Sequence, residues 1–215
     1  MKIGIFDSGK GGTTTMSAIK ELLPNEEYFY ISDHENCPYG DKTDETLYEI
    51  VNANVLKLKN WGAKLIVIAC NTATTKCIKK LRLDYPDIIF IGIEPAIKVA
   101  TDSNAKNILV LATSNTVNSK RAHTLINENL KPNQNITLLA CPGLADAIEK
   151  NSLSKINNIL NTLLKNYKNI DAVVLGCTHY SLIKNKIQTY FPTAKLIDGN
   201  DGVARYVYKL IKNLP

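Results

Sequence analysis

The chain has 215 residues, of which 45% are apolar and 21% charged, and its net charge is +6. This composition predicts an ordinary globular protein that buries a real core in one large or two smaller domains. The longest apolar runs, LIVIAC and IIFIGI, have six residues against the roughly 20 that cross a bilayer, which excludes a membrane-spanning segment.

The distribution of charge and cysteine narrows the class of protein further. Basic residues cluster only locally, as in KCIKKLR (76–82), where helical spacing indicates a solvated helix face. No aromatic residues are interleaved with them, so we expect no nucleic-acid partner. The start MKIGIFDSG is not a signal peptide, and five cysteines without one indicate reduced thiols. We therefore expect a cytoplasmic protein.

Apolar runs and amphipathic segments alternate along the chain. The clearest helical segment begins near Thr43, which can cap it, and ends at Gly62. Regular alternation of strands and helices predicts an α/β fold with mostly parallel sheets. The predicted strands lie near residues 2–6, 28–32, 65–69, 88–93, 107–112, 136–140, 171–176 and 194–197.

A glycine-rich segment, FDSGKGGTTT, follows the first predicted strand. It nearly matches the phosphate-binding pattern G-x-x-x-x-G-K-[ST], but Gly11 stands where a Ser or Thr is needed and Gly4 lies inside the strand. A tight strand-to-helix turn without a ligand is a second interpretation. In a third, Asp7 and Ser8 are the functional residues of this segment.

The two halves of the chain resemble each other weakly. KIGIFDSGKGGT is similar to KNILVLATSNTV, and LIVIACNTAT is similar to AVVLGCTHYS. The interval from Asp7 to Cys70 is 63 residues, and that from Thr113 to Cys177 is 64. The matching order and spacing predict two similar α/β halves that pack against each other, with the active site in the cleft between them.

Polar residues cluster at the predicted carboxyl ends of strands, where open α/β sheets bind ligands. Cys70 and Cys177 each end a strand just before a predicted helix, so we expect the helix N-terminus to lower their pKa. Neighbouring hydroxyl and amide groups can donate hydrogen bonds to a carboxylate. The residues at these ends are Asp7, Ser8, Cys70, Asn71, Thr72, Thr113, Cys177, Thr178 and His179.

The cysteines permit several roles. We expect Cys77 to lie in the core, whereas Cys37 and Cys141 are nearer to strand ends and could line the cleft. A metal site could use Cys177 and His179 with His34 and Cys37, but no C-x-x-C pair or second Cys-x-His supports it, and we expect no metal. One thiol from each half fits the inversion of a carbon centre, because one group removes a proton from one face while the other delivers a proton to the opposite face.

The motifs FDSGKGG, CPYG, ACNTAT, TSNTVNS and GCTHY together resemble those of the glutamate racemase family, within the wider aspartate/glutamate racemase superfamily. The resemblance implies an enzyme that interconverts L- and D-glutamate without a cofactor and supplies D-glutamate for peptidoglycan. It also implies a homodimer. The family's domains imply a first domain of residues 1–93 plus 198–215 and a second of residues 94–197.

The resemblance also assigns roles to residues. Cys70 and Cys177 match the two proton-transfer residues, Asp7 and His179 match groups that assist them, and Glu149 aligns with a glutamate close to the site. Tyr39 is singled out by the family match alone. The positions that match the family's substrate-binding residues are Asp7, Ser8, Tyr39, Gly40, Asn71, Thr72, Thr113, Thr116, Thr178 and His179.

Some segments depart from the family pattern: SDHE replaces GDT, HYS replaces HYP, and GLADAIE replaces the usual apolar LLVPFVE. These departures leave the substrate's side chain open, since one methylene is worth only roughly 1–3 kcal/mol in a pocket. A relative that acts on aspartate, a hydantoin or a malonate is the alternative enzyme. A binding or regulatory protein without turnover is the alternative from another class.

Overall fold

The computed structural model describes residues 1–213, and its eight strands lie where the sequence predicts them. The strands are β1 (Lys2–Asp7), β2 (Glu27–Ser32), β3 (Leu65–Ile68), β4 (Ile89–Gly92), β5 (Asn107–Ala112), β6 (Asn135–Ala140), β7 (Ala172–Gly176) and β8 (Lys195–Ile197). The helices are α1 (Thr13–Leu22), α2 (Asp44–Trp61), α3 (Asn71–Asp84), α4 (Ile97–Asp102), α5 (Ser114–Val117), α6 (Lys120–Asn129), α7 (Leu144–Glu149), α8 (Leu153–Leu164), α9 (Thr178–Ser181), α10 (Lys184–Gln188) and α11 (Asn200–Lys212). Short 3-10 turns cover Lys10–Gly12 and His34–Asn36.

The strands form two four-stranded sheets with equivalent strand orders. The first sheet has the order β2-β1-β3-β4 and the second the order β6-β5-β7-β8. Every strand pairing is parallel, with Ile3 opposite Leu65 in the first sheet and Ile108 opposite Ala172 in the second. The prediction of an α/β fold with two similar halves is therefore confirmed.

Both faces of each sheet are buried, which explains why the central strands are apolar without alternation. In the first sheet, Ile66 and Ile68 pack in the apolar cluster on one face, while Leu65 and Val67 pack in the cluster on the other. The second sheet repeats this division between its two faces. Because the helices cover the faces, ligand access is left to the strand ends.

The signals at the ends of α2 work as the sequence predicts. The Thr43 side chain accepts a hydrogen bond of 3.3 Å from the backbone N–H of Thr46 and caps the first turn. Gly62 ends the helix with φ of +96°, a left-handed conformation that glycine adopts without strain. Cys77 lies in the core against this helix, as expected.

The last helix returns to the first sheet. Val203, Ala204 and Val207 of α11 pack in the same apolar cluster as Ile3 of β1 and Ile19 of α1. We propose on this basis that residues 1–93 and 198–213 form one domain and residues 94–197 the other. Residues 214 and 215, which the sequence assigns to the first domain, lie outside the described residues. Within residues 1–213, no helix combines the length and the hydropathy that a membrane span needs.

Candidate active site

A small cavity lies where the carboxyl ends of the two sheets meet. Its volume is about 10 Å³, room for about one water molecule and far less than an amino acid occupies. Nine of the predicted site residues line it: Ser8, Tyr39, Gly40, Cys70, Asn71, Thr72, Thr113, Cys177 and His179. Cys37, Pro38 and Ala145 complete the lining. Of the four remaining predicted site residues, Thr116 bonds Thr113 and Glu149 bonds His179 of this lining, while Asp7 and Thr178 bond each other.

The two cysteines occupy equivalent places in the two halves. Cys70 follows β3 and precedes α3, with φ −134° and ψ 116°. Cys177 follows β7 and precedes α9, with φ −147° and ψ 133°. Both thiols line the same cavity, and each residue is less than one tenth exposed. The cysteines are therefore presented to one enclosed space by matching strand-to-helix turns.

The expectation that helix N-termini lower the pKa of these thiols is wrong for the closed structure. Burial raises the pKa of Cys70 to about 12, and the negative charge of Asp7 adds to the rise. Burial also raises the pKa of Cys177 well above its usual range, and the neighbouring Cys70 adds to it. Desolvation outweighs the helix effect because both thiols are buried, and the helix that follows Cys177, α9, has only four residues.

Asp7, the last residue of β1, joins the two halves. Its carboxylate accepts hydrogen bonds from the backbone N–H groups of Gly9 at 3.1 Å and Gly12 at 2.9 Å. The Thr178 hydroxyl, from the other half, donates to it at 3.2 Å. Burial raises the pKa of Asp7 to about 6, although the neighbouring His179 ring and these hydrogen bonds oppose the rise. Next to Asp7, Ser8 places its hydroxyl 3.4 Å from the Cys70 sulfur.

His179 and Glu149 form the polar partners of Cys177. The Nδ1 atom of His179 lies 3.9 Å from Cys177 Sγ, and its Nε2 atom lies 2.6 Å from Glu149 Oε2. Burial works to raise the pKa of Glu149, but hydrogen bonds from His179, the Lys10 backbone and His34 outweigh it and lower the pKa to about 2. An ionised carboxylate only accepts hydrogen bonds, so Nε2 of His179 carries the hydrogen and Nδ1 is free to accept the Cys177 proton.

Three threonine hydroxyls form a hydrogen-bonded cluster between the halves. Thr72 Oγ1 lies 2.9 Å from Thr113 Oγ1, and Thr113 donates to Thr116 at 3.1 Å. All three residues are buried, and Thr113 also caps α5 by accepting the Thr116 backbone N–H. Hydroxyl groups exchange donor and acceptor roles freely, so this cluster can turn toward an anionic ligand.

Asn71 carries a buried polar atom that lacks a partner. Its Oδ1 atom has no hydrogen-bond partner among the residues that the structure describes, although the residue is only 3% exposed and lines the cavity. An unpaired buried acceptor costs roughly 1–3 kcal/mol. A ligand that donates a hydrogen bond here would remove that cost.

Tyr39 and Gly40 line the cavity by different means. The Tyr39 hydroxyl donates to Asp33 at 2.5 Å and so points its polar end at its own half. Gly40 packs so closely that a Cβ on it would lie 3.0 Å from Thr113 Cβ. The loop that carries Tyr39 and Gly40 is hydrogen-bonded to the second half, because the side-chain amide of Asn115 donates to the Tyr39 carbonyl at 3.2 Å.

The phosphate-loop interpretation of FDSGKGGTTT is wrong. The backbone N–H groups that would cradle a phosphate already donate to carboxylates of the protein, those of Gly9 and Gly12 to Asp7 and that of Lys10 to Glu149. The glycines instead permit close approach of the two halves. A Cβ on Gly11 would lie 2.6 Å from the backbone nitrogen of His179.

The structure brings Lys10 and His34 to this site in roles other than the phosphate loop and the metal site for which the sequence considered them. Lys10 donates from Nζ to the Glu149 carbonyl at 3.1 Å, and His34 Nδ1 bonds Glu149 Oε1. Ligand-type atoms of Cys37, Glu149 and His179 lie within 4.8 Å of one another. The hydrogen bond between Glu149 and His179 accounts for the closeness of these two groups, and the absence of a metal remains a prediction. Cys141 borders a neighbouring recess, not this cavity.

Comparisons with known proteins agree with this geometry. The sequence model of the Asp/Glu/Hydantoin racemase family matches residues 8–207. The glutamate racemases of Clostridium novyi and Bifidobacterium adolescentis are 40% and 36% identical, each across 99% of this chain and 85% of the relative. The crystal structure of Escherichia coli glutamate racemase with L-glutamate and the activator UDP-MurNAc-ala superimposes with a TM-score of 0.89 at 32% identity, covering 99% of this chain and 82% of that one. An aspartate racemase from Picrophilus torridus, at 18% identity and a TM-score of 0.68, shares the fold. Because the family model matches residues 8–207 and the two racemases match 99% of the chain, this chain belongs to the Asp/Glu/Hydantoin racemase family.

Proposed function

We propose that this protein is a glutamate racemase that interconverts L- and D-glutamate with two cysteines. The observation that carries the proposal is the pair of equivalent strand ends that bring Cys70 and Cys177 to one cavity from opposite halves. The relatives that match along the full chain are named glutamate racemases, which supports glutamate as the substrate.

The two thiols divide the reaction between the faces of the substrate's α-carbon. One thiolate removes the α-proton, and the opposite thiol delivers a proton to the other face, so the configuration inverts. His179 Nδ1 accepts the proton that Cys177 releases when it becomes a thiolate, and the Ser8 hydroxyl hydrogen-bonds the Cys70 sulfur. The reverse reaction exchanges the roles of the two cysteines.

The polar lining matches the groups of an amino acid. The Thr72, Thr113 and Thr116 hydroxyls and the helix N-terminus that begins at Asn71 supply donors for a carboxylate. The unpaired Asn71 Oδ1 supplies an acceptor for the ammonium group, and the buried carboxyl group of Asp7, next to the lining residue Ser8, adds negative charge when it is ionised. Other positions that the family match assigns to substrate binding are Ser8, Tyr39, Gly40, Thr178 and His179.

The closed cavity requires an opening step before substrate enters. Because a cavity of about 10 Å³ excludes an amino acid, the halves must separate and then close around it. Separation restores water to the thiols and removes the desolvation that raises their pKa. The substrate ammonium then adds a positive charge that favours a thiolate in the re-closed site.

The remaining parts of the proposal rest on the family resemblance. We propose that the enzyme needs neither pyridoxal phosphate nor a metal, that it forms a homodimer, and that it supplies D-glutamate for peptidoglycan in the cytoplasm. The glycine-rich turn supports the absence of pyridoxal phosphate, since the backbone N–H groups that could hold its phosphate donate to Asp7 and Glu149.

Chiral analysis after incubation with L-glutamate or L-aspartate, without added cofactor and after dialysis against a chelator, tests the function. We expect D-glutamate to form and to approach an equal mixture, with little D-aspartate. Turnover of aspartate alone would point to the alternative substrate. Binding of glutamate without any D-glutamate would point to a non-catalytic protein.

A further inference from the structure

Three side chains with metal-binding atoms converge beside the active-site cavity. Cys37 Sγ, a carboxylate oxygen of Glu149 and a ring nitrogen of His179 all lie within 4.8 Å of one another. Within residues 1–213, no other group of three His, Cys, Asp or Glu side chains comes together in this way. Cys37 and His179 line the cavity, and Glu149 hydrogen-bonds His179. A thiolate, an imidazole and a carboxylate are the ligand types that zinc binds in proteins.

The charges around this cluster favour a cation. Burial raises the pKa of the Cys37 thiol to about 12, and the negative charges of Glu149 and Asp7 add to the rise. A metal ion takes the place of the thiol proton, because a thiol that coordinates a metal is deprotonated outright. The ammonium group of Lys10 is already bound by the Glu149 carbonyl at 3.1 Å and by Asn151 Oδ1 at 2.6 Å. The negative charge near Cys37 is therefore open to an added cation.

The three ligand atoms need only small shifts to bind zinc. Zinc bonds nitrogen and oxygen at about 2.0–2.2 Å and sulfur at about 2.3 Å, so tetrahedral ligand atoms lie about 3.3–3.6 Å apart. His179 Nε2 and Glu149 Oε2 are 2.6 Å apart and have to separate slightly, while Cys37 Sγ starts within 4.8 Å of both side chains. His34 bonds the other carboxylate oxygen, Oε1, and so leaves Oε2 for the metal. Water completes the fourth position, as in zinc sites with three protein ligands.

We propose that Cys37, Glu149 and His179 bind a zinc ion that inhibits this protein. Cys37 belongs to the first half of the chain, whereas Glu149 and His179 belong to the second, so one zinc ion ties the two halves together across the cleft. The ion is an inhibitor and not a cofactor, and the proposal that turnover needs no metal is unchanged. The inhibition rests on the proposed racemase function, whereas the binding of zinc does not.

Zinc at this site acts on the reaction in two ways. Binding releases the Cys37 proton to solvent and makes Nε2 of His179 a zinc ligand, so the hydrogen of the neutral ring moves to Nδ1. Nδ1 lies 3.9 Å from Cys177 Sγ and, once it carries the hydrogen, no longer accepts the Cys177 proton. The halves that zinc holds together also keep the cavity at about 10 Å³, which excludes an amino acid. Zinc therefore blocks both proton transfer and substrate entry.

Zinc titration of racemase activity tests the site, with each protein compared with its own activity in the absence of zinc. Cys141→Ser is the matched control, because Cys141 is a buried cysteine that borders a neighbouring recess and lies outside the cluster. We expect Cys37→Ser to need at least roughly tenfold more zinc for half inhibition, since even residues that only support a metal ligand change affinity by that factor. Cys141→Ser should be inhibited like the wild type. Equal inhibition of all three proteins would place zinc on the reacting thiols and overturn the proposed site.

Cobalt binding provides a second measurement that does not depend on turnover. Cobalt occupies tetrahedral zinc sites and absorbs in the near ultraviolet when a thiolate binds it. We expect this band in the wild type and in Cys141→Ser, and its loss in Cys37→Ser, with circular dichroism to verify that each variant is folded. A band that survives in Cys37→Ser, or no band in the wild type, would overturn the zinc site and leave the racemase function standing. If the wild type binds cobalt through Cys37 but forms no D-glutamate, the metal site stands and the inhibition fails with the proposed function.

Discussion

Asp7 is fully buried, and burial raises its pKa from 3.8 to about 6 against the opposing effects of the neighbouring His179 ring and three hydrogen bonds. A carboxyl group whose pKa is higher in the folded state binds its proton more tightly there than in the unfolded chain. The stabilisation from this proton is fully present below pH of about 4 and is lost as the pH rises through about 6. The site thus carries a cost in stability near neutral pH.

Replacing Asp7 by asparagine should remove this pH dependence. Between pH 4 and pH 7, we expect the free energy of unfolding of Asp7→Asn to rise by roughly 2.5 kcal/mol relative to the wild type, because most of the roughly 3 kcal/mol that a pKa change from 3.8 to about 6 represents is lost in this range. Urea unfolding of both proteins across this pH range measures the difference. A difference that stays constant with pH would show that Asp7 does not titrate as described.

The turn between β1 and α1 shows how a short element brings two halves together. The 3-10 turn Lys10–Gly12 packs against the start of α9, and Gly11 leaves no room for a side chain between them. A Cβ there would lie 2.6 Å from the His179 backbone nitrogen and 2.7 Å from the Thr178 carbonyl carbon. Backbone atoms cannot yield as a flexible side chain can, so the two elements would have to separate.

Gly11→Ala should therefore lower activity strongly, and Gly202→Ala should not. We expect at least roughly a 100-fold loss of kcat/KM for Gly11→Ala, because small displacements of reacting groups have effects of this size. Gly202 lies inside α11 with nothing within 4 Å of an added Cβ. Its replacement should raise the free energy of unfolding by about 0.5–1 kcal/mol through helix propensity. Racemase assays and urea unfolding test the pair, and equal activity of the two variants would contradict the account.

Local patterns predicted the elements well, and contacts between halves were harder to predict. The strands, the Thr43 cap and the Gly62 stop depend on nearby residues, so the sequence contains their signals. Because ligands bind at the carboxyl ends of parallel strands, the sequence also predicted the two cysteines and their polar neighbours as site residues. Glu149 came only from the family match, and the contact of His34 with it joins residues 115 positions apart. The direction of the thiol pKa shifts depended on burial, which a helix-start signal does not reveal.

At the scale of the whole molecule, the two halves enclose the site through hydrogen bonds that opening must break. The Lys10 backbone N–H donates across the cleft to Glu149, whereas that of Gly12 donates to Asp7 within its own half. These neighbouring amides therefore report different events. Opening of the cleft exposes the Lys10 amide and leaves the Gly12 amide hydrogen-bonded to Asp7.

Amide hydrogen exchange measured by NMR should distinguish the Lys10 amide from the Gly12 amide. Without substrate, we expect the Lys10 amide to exchange faster than that of Gly12, because only its acceptor lies across the cleft. Saturating glutamate should slow exchange at Lys10 more than at Gly12, since the bound state holds the halves closed. Equal protection of both amides, with and without glutamate, would contradict a cleft that opens to admit substrate.

The central claim is that Cys70 and Cys177 act on opposite faces of one α-carbon, and deuterium labelling at early times tests it most directly. In deuterium oxide, the delivering thiol carries deuterium from solvent while the accepting thiol holds the substrate's own proton. Starting from either pure enantiomer, we expect the product enantiomer to contain deuterium at the α-carbon while the remaining substrate stays unlabelled. Equal early labelling of both enantiomers would indicate a single base that serves both faces and would contradict the two-cysteine account.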